Sequence, residues 1–312
     1  MGAIKIRLTY ARGGRSHRVW LKPALHVALA FMVVLGLLNM FSSYNVHQEQ
    51  IPNSLPTIRK VTMLYGNRTI YDRALKTHEA HSRKYGYPMT VLRKSILEGL
   101  WTKPAIILST LIEEMGKPEE QRAQWLFWFD ADTILMNPNI PLETFLPPPH
   151  FSETHLLLTK DWNGMNNGVF FLRVHPWSIQ FLSAIVSYPV IHPDAHLLWE
   201  DQSVMNRLKK EHEYFSRSMV YCPLRWFNAY KRNHNATDIN LKKPTHFQIH
   251  PGDIIVHFPG TPANELKSTM LPYLEVAESH DPEWELSLEQ TGYLRETAEF
   301  WGDMSESNNN ML

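Results

Sequence analysis

Two aspartates follow the most apolar segment of the sequence. Residues 125–129 read Trp-Leu-Phe-Trp-Phe, and Asp130-Ala131-Asp132 comes next. Such a segment is typical of a strand buried on both faces. Where the strand ends, the chain can turn so that both carboxylates face one hard cation, and Mg²⁺ and Mn²⁺ prefer such oxygens together with phosphate oxygens. Because adjacent carboxylates repel each other unless something neutralises them, we interpret the pair as a metal site; a solvated strand end is the alternative.

Three further polar clusters border apolar segments. Residues 161–168, Asp-Trp-Asn-Gly-Met-Asn-Asn-Gly, form a predicted loop whose amides are suited to sugar hydroxyls, with Trp162 as a stacking face; a purely structural hairpin is the alternative. Residues 199–202, Trp-Glu-Asp-Gln, begin a predicted helix. Acidic side chains in a first turn complement the helix dipole, which is the structural alternative to a functional role. Residues 257–260, His-Phe-Pro-Gly, lie at the end of the last predicted strand, where His257 could complete a metal site; a surface or hydrogen-bonded histidine is the alternative.

The elements that position these clusters alternate along the chain. Predicted strands lie at 61–66, 87–92, 125–130, 155–159, 168–173 and 253–258, and predicted helices at 71–85, 104–115, 176–188 and 200–213. This alternation predicts an α/β domain with a mainly parallel sheet, in which ligands bind beyond the carboxyl ends of the strands. A divalent cation on a diphosphate, with polar loops on a sugar, is the chemistry of nucleotide-sugar transfer.

Charge and cysteine content exclude other classes. The chain has 312 residues, with 31 Lys and Arg against 31 Asp and Glu, so its formal net charge is zero. A nucleic-acid binder held by bulk charge is therefore not expected. The single cysteine excludes an intrachain disulfide and a cysteine-based zinc site.

The basic residues are concentrated at the N-terminus. Residues 1–48 contain no Asp or Glu, and six Lys or Arg precede the apolar segment 24–41. As a helix this segment would be about 27 Å long, enough to span a hydrocarbon core, and its basic flank predicts a cytosolic N-terminus and a luminal remainder. A cleaved signal peptide or a mitochondrial presequence is the alternative. Sequons at Asn67 and Asn235 agree with a secretory address.

Five motifs keep a characteristic order. They occupy residues 125–138, 161–173, 199–202, 225–230 and 257–260. From about residue 61 to residue 260 the chain resembles glycosyltransferase family 34, which includes fungal Golgi α-1,2-galactosyltransferases and α-1,6-mannosyltransferase subunits and plant xyloglucan xylosyltransferases. The resemblance implies a single GT-A type catalytic domain with a Rossmann-like sheet, dependence on Mn²⁺ with Mg²⁺ as the alternative, and retention of anomeric configuration.

The resemblance also implies roles for individual residues. The expected metal ligands are Asp130, Asp132 and His257, and Asp201 and Gln202 match the pair beside the anomeric carbon. The residues expected to bind the donor are Tyr65, Gly66, Lys103, Asp130, Asn163, Asn166, Gly168 and Gly260, with the first two bordering the nucleotide base. Because Gln202 is a poor nucleophile, same-face attack is favoured over a covalent intermediate. Relatives often carry a basic residue soon after the His-x-x-Gly turn, whereas here the next one is Lys267.

The resulting expectation is a single-pass type II Golgi membrane protein. Its predicted parts are a basic tail at 1–23, an anchor at 24–41, a stem at 42–57, the catalytic domain at 58–280 and a C-terminal extension at 281–312. It would move galactose or mannose from UDP-galactose or GDP-mannose to a glycan acceptor, in N-glycan or cell-wall mannan elaboration, alone or with other Golgi transferases. A non-catalytic subunit of a Golgi mannosyltransferase complex and a metal-dependent phosphohydrolase are the alternatives.

Overall fold

A computed structural model describes residues 57–66, 69–232 and 246–309. The predicted tail, the anchor at 24–41, the stem up to residue 56 and both sequon asparagines lie outside these residues. No helix within the described ranges combines the length and the apolar character needed to cross a membrane.

Strands and helices alternate through most of the described chain. The strands are β1 (Ile58–Met63), β2 (Met89–Leu92), β3 (Trp125–Phe129), β4 (Thr133–Leu135), β5 (Leu156–Asp161), β6 (Gly164–Arg173), β7 (Met219–Cys222), β8 (Ala229–Tyr230) and β9 (Ile255–His257). The helices are α1 (Thr69–Tyr85), α2 (Thr102–Met115), α3 (Pro176–Ile191), α4 (Glu200–Glu211), α5 (Glu213–Ser216), α6 (Leu266–Ser279), α7 (Leu288–Thr291) and α8 (Tyr293–Asn309). The predicted α/β class is confirmed.

The main sheet has the strand order β2-β1-β3-β6-β5-β7. Strand β1 runs parallel to β2 and β3, and β5 runs parallel to β7, but β6 is antiparallel to both of its neighbours. The predicted mainly parallel sheet is therefore a mixed sheet. The reason is local, because β5 and β6 are joined by a turn too short for the crossover that a parallel pair requires.

The predicted polar loop at 161–168 is also mostly strand. Asp161 pairs with Gly164, so that Trp162 and Asn163 alone form the turn of the β5–β6 hairpin. Gly164 has a φ of 105°, a conformation that favours glycine. The following asparagines and Gly168 lie in β6, where pairing with β3 and β5 overrides the low strand propensity of Asn and Gly.

A smaller sheet, β4-β9-β8, brings distant parts of the chain together. Strands β4 and β9 are antiparallel, with Thr133 opposite His257. The backbone N–H of Phe258 donates to the carbonyl of Asp132 at 3.0 Å. This pairing places the end of β9 beside the turn that follows β3.

The main core is aromatic. Phe127 and Phe171 face each other across β3 and β6 with ring centroids 4.6 Å apart, and both are fully buried. The segment predicted as a C-terminal extension joins this core, because Tyr293 and Trp301 of α8 are buried in it. Tyr293 packs edge to face against Phe145 with ring centroids 5.0 Å apart.

Candidate active site

Three candidate metal ligands converge at one edge of the main sheet. Asp130 follows β3, Asp132 precedes β4 and His257 ends β9. One ligand atom from each residue lies within 4.8 Å of the other two, and His257 Nε2 is 3.4 Å from Asp132 Oδ1. The structure thus brings together the three residues that the sequence suggested, and two carboxylates with one imidazole suit Mn²⁺ or Mg²⁺.

A series of hydrogen bonds fixes the proton on the His257 ring. The Asp161 carboxylate accepts from Asn166 Nδ2 at 3.2 Å, so the Asn166 oxygen points the other way. That oxygen accepts from Asn228 Nδ2 at 2.8 Å, which turns Asn228 Oδ1 toward His257 Nδ1 at 2.7 Å. Nδ1 therefore carries the proton of the neutral ring, and Nε2 presents its lone pair toward Asp132.

This arrangement fits a divalent cation. With Nδ1 bound to Asn228, Nε2 is the ring nitrogen that faces the Asp132 carboxylate, 3.4 Å from its Oδ1, and Asp130 completes a set of three ligand atoms around one position. Asn228 fills the outer role that orients a metal-binding histidine.

Gly168 leaves room for the His257 ring. A Cβ at this position would lie 2.2 Å from His257 Cε1 and 2.9 Å from Nε2. The backbone of Gly168 is also anchored, because its carbonyl accepts from Asp130 N at 2.8 Å and its N–H donates to Asn166 Oδ1 at 2.9 Å. Any side chain here would displace a candidate metal ligand.

Lys103, on the first turn of α2, lies between two carboxylates. Its Nζ donates to the Asn167 carbonyl at 2.5 Å and to Asp130 Oδ1 at 3.2 Å, and lies 4.0 Å from Asp201 Oδ2. The side chain is 3% exposed. Lys103 therefore offsets the negative charge of the Asp130 and Asp201 carboxylates, and its removal would leave the buried Asp201 carboxylate without this cation.

The start of α4 contributes Asp201 and Gln202. Asn167 holds both: its Nδ2 donates to Asp201 Oδ2 at 2.7 Å, and its backbone N–H donates to Gln202 Oε1 at 3.1 Å. Burial raises the pKa of Asp201 to about 6, with Asp130 acting in the same direction while Lys103 and Asn167 oppose them. A buried carboxyl shifted in this way beside a cation is typical of functional sites.

Glu200 connects α4 to the segment that carries Lys103. Its Oε2 accepts from the backbone N–H of Leu100 at 2.7 Å, and a Cβ at Gly99 would lie 2.7 Å from the same oxygen. Glu200 has a φ of 36°, which is strained for a residue with a side chain. This contact therefore fixes the start of α4 against the start of α2.

Four of the expected donor residues lie in turns that follow strands. Tyr65 and Gly66 follow β1, Asn163 lies in the β5–β6 turn, and Gly260 follows β9. In the described part of the chain none of them hydrogen-bonds to the metal cluster. Gly66 and Gly260 have φ values of 88° and 67°, so each occupies a turn conformation that favours glycine.

Sequence reasoning missed two organising asparagines. Asn228 lies in the 225–230 motif, but nothing in its residue type distinguished it from an ordinary loop asparagine. Asn167 lies in the 161–168 segment, where all the asparagines looked alike in the sequence. Their roles depend on which neighbours each side chain reaches, and a local motif does not contain that information.

Comparison with known proteins points to one family. Residues 149–265 match the model of the galactosyl transferase GMA12/MNN10 family. The match agrees with the resemblance to glycosyltransferase family 34. A probable α-1,6-mannosyltransferase of Saccharomyces cerevisiae is 24% identical over 192 residues, which are 50% of this chain and 47% of the relative. A probable α-1,2-galactosyltransferase of Schizosaccharomyces pombe is 22% identical over 213 residues, 58% of this chain and 59% of the relative.

The chain spans about half the length of these curated relatives. Among solved structures, a glycosyltransferase involved in the glycosylation of the major capsid of PBCV-1 superposes with a TM-score of 0.51 at 17% identity. The match covers 69% of this chain and 99% of that one. The likeness shows a GT-A-like glycosyltransferase fold, in agreement with the fold expected from the sequence.

Proposed function

We propose that the chain is a retaining hexosyltransferase that moves galactose or mannose from a nucleotide sugar to a glycan acceptor. The observation that carries the proposal is the convergence of Asp130, Asp132 and His257 within 4.8 Å at the sheet edge. Asp201 and Gln202 lie beside it, held by the same asparagine. The relatives' names, which refer to mannosyl and galactosyl transfer, support this substrate class.

In this proposal Asp130, Asp132 and His257 hold Mn²⁺, or Mg²⁺ in its place. A cation held by these residues would supply the positive charge that a departing diphosphate requires. Asn228 keeps His257 in the tautomer that presents Nε2, and Gly168 leaves the ring room to do so.

The remaining residues of the site position the donor. Lys103 adds positive charge that offsets the carboxylates of Asp130 and the buried Asp201. Gln202 Oε1 is engaged by Asn167, and an amide is in any case a poor nucleophile. Asp201 is 3% exposed and held by Asn167, so it orients the sugar rather than attacking it. This arrangement favours same-face attack, in which the protein supplies position and charge.

We further propose that the enzyme works in the Golgi lumen as a type II membrane protein. The basic flank and the apolar segment 24–41 support this location. The acceptor is then a glycan of the secretory pathway, in N-glycan or mannan elaboration, and other Golgi transferases are candidate partners.

The decisive test is Asp132→Asn in the full chain, with Asp281→Asn as the matched control. Asp281 caps the backbone N–H of Glu283 beyond α6, a role that asparagine also fills. We expect Asp132→Asn to abolish Mn²⁺-dependent transfer and Mn²⁺ binding, while Asp281→Asn retains both. Unchanged transfer by Asp132→Asn would overturn the metal assignment.

The donor is identified by a thermal-shift screen of UDP and GDP sugars with Mn²⁺. A ligand that binds only the native state raises the unfolding temperature. No shift and no transfer with any of these donors would overturn the proposed function.

A further inference from the structure

An exposed tryptophan occupies the tip of the β5–β6 hairpin. Trp162 is 68% exposed, more than Tyr65, Trp199 or Tyr214, the other markedly exposed aromatic residues of the described chain. Single exposed apolar side chains are common and need no explanation by themselves. The position and the support of Trp162 are what distinguish it.

Trp162 is held by a rigid framework. The turn is closed by the pairing of Asp161 with Gly164, and Asp161 Oδ1 accepts from Asn163 N at 2.6 Å. The indole meets the Tyr230 ring edge to face, with centroids 5.3 Å apart, and Phe247 in the same manner at 5.6 Å. The side chain is therefore ordered before any ligand arrives, which lowers the entropy cost of binding.

The support under Trp162 contacts the candidate metal site. The Tyr230 hydroxyl donates to Asp161 Oδ2 at 2.5 Å and accepts from Asn166 Nδ2 at 2.7 Å. The other side of Tyr230 meets the His257 ring, with centroids 5.8 Å apart. Two ring contacts thus join Trp162 to a candidate metal ligand, and their centroid distances limit the Trp162–His257 separation to about 11 Å.

The sheet order sets the side of the site on which Trp162 lies. Strand β1, which ends before Tyr65 and Gly66, lies on one side of β3. On the other side of β3 lie β6 and then β5. Neighbouring strands are about 4.8 Å apart, so β1 and β5 are separated by roughly 14 Å. With the nucleotide base at the β1 side and the diphosphate at Asp130, Trp162 lies on the side away from the base.

We propose that Trp162 is a stacking platform for a pyranose ring of the glycan acceptor. This inference rests on the proposed transferase function, and it adds the subsite that receives the acceptor. The hydrogen-bonding groups beneath the indole already satisfy one another, because Asp161, Asn166 and Tyr230 are mutually bonded. The platform therefore offers an apolar face to the C–H face of a sugar, a contact suited to the large flat surface of tryptophan.

The first test compares Trp162→Ala and Trp162→Phe in the full chain, with Tyr214→Ala as control. Tyr214 is a similarly exposed aromatic on α5, which precedes β7 and so lies at the opposite edge of the sheet. With mannotriose as acceptor, we expect Trp162→Ala to raise the acceptor KM about 3- to 10-fold, the range of an aromatic stacking contact. Trp162→Phe should recover part of this loss, and Tyr214→Ala should leave the acceptor KM unchanged.

Two readouts separate an acceptor contact from general damage. The donor KM and the slow hydrolysis of the donor without acceptor should be the same in Trp162→Ala as in the unchanged protein. An unchanged acceptor KM, or an equal loss of donor hydrolysis, would overturn the platform.

Direct binding separates failure of the platform from failure of the proposed function. Saturation-transfer NMR with mannotriose needs no catalysis, so it applies even if no donor is turned over. Binding that is lost in Trp162→Ala and partly kept in Trp162→Phe supports the platform. Absent binding, or binding equal in all variants, would overturn it while leaving a measured transferase activity intact.

Discussion

Replacing Gly168 by alanine should displace His257 without altering any ligand chemically. The new Cβ would lie 2.2 Å from His257 Cε1, so the ring must retreat by about 1.2 Å to reach the 3.4 Å of ordinary van der Waals contact. The ring has little freedom, because it is 2% exposed and its Nδ1 is bound to Asn228. Metal–ligand distances tolerate about 0.2 Å, so the shift removes His257 from any bound ion.

Gly168→Ala should weaken metal binding and lower the stability of the fold. Disturbing even the outer partner of a metal ligand costs about 10- to 100-fold in metal affinity, and Gly168→Ala should reach or exceed the upper end. Overpacking should also lower the free energy of unfolding by about 1–3 kcal/mol. Mn²⁺ affinity is measured by titration calorimetry with UDP or GDP present, and stability by urea denaturation in EDTA.

Gly302→Ala is the matched control for this substitution. Gly302 lies inside α8 with open space where its Cβ would be built, so alanine there should leave Mn²⁺ binding unchanged and stabilise the helix by about 0.5–1 kcal/mol. In the Gly168→Ala/His257→Ala double variant the clash is absent, so the destabilisation should be less than additive. Wild-type Mn²⁺ affinity in Gly168→Ala, or additive losses of stability, would refute the steric account.

Three further predictions follow from buried groups. Asn228→Leu should weaken Mn²⁺ binding about 10- to 100-fold, because it removes the oxygen that accepts from His257 Nδ1; Mn²⁺ affinity equal to that of the unchanged protein would contradict the assigned tautomer. The pKa of Asp201 is raised to about 6 from an ordinary 3.8, so its ionisation opposes folding above pH 6 and the penalty disappears below about pH 4. In EDTA, the free energy of unfolding should therefore rise by about 2 kcal/mol from pH 7 to pH 4 relative to Asp201→Asn, and parallel pH profiles would contradict this. Burial raises the pKa of the Cys222 thiol, so iodoacetamide should label it only after unfolding; rapid labelling of the native protein would count against its burial.

Local patterns in the sequence predicted the elements that carry the site. The apolar residues at 125–129 form β3 as expected, because a strand buried on both faces needs apolar side chains at every position. Asp130 and Asp132 follow it, and Glu200 opens a helix as its acidic first turn suggested. These features depend on residues that are adjacent in the chain, which is why they could be predicted from the sequence.

The direction of β6 and the bounds of the β5–β6 hairpin could not be predicted from local sequence patterns. Asparagines and glycines at 161–168 looked like a loop because their intrinsic strand propensity is low. In the fold they pair with β3 and β5, and the gain from pairing outweighs that preference. Strand direction depends on partners elsewhere in the chain, so local composition could not determine it.

The chemistry available to this protein can be read from residue types and local order: a carboxylate pair after a buried strand, a histidine after another, and an Asp-Gln pair at a helix start. That these groups meet is a property of the fold. Asp132 and His257 are far apart in the chain, and they become neighbours through the pairing of β4 with β9. Lys103 and Asn167 then join Asp130 to Asp201. Such contacts form only when burial of the two sheets outweighs the entropy of closing long loops, a balance that belongs to the whole fold.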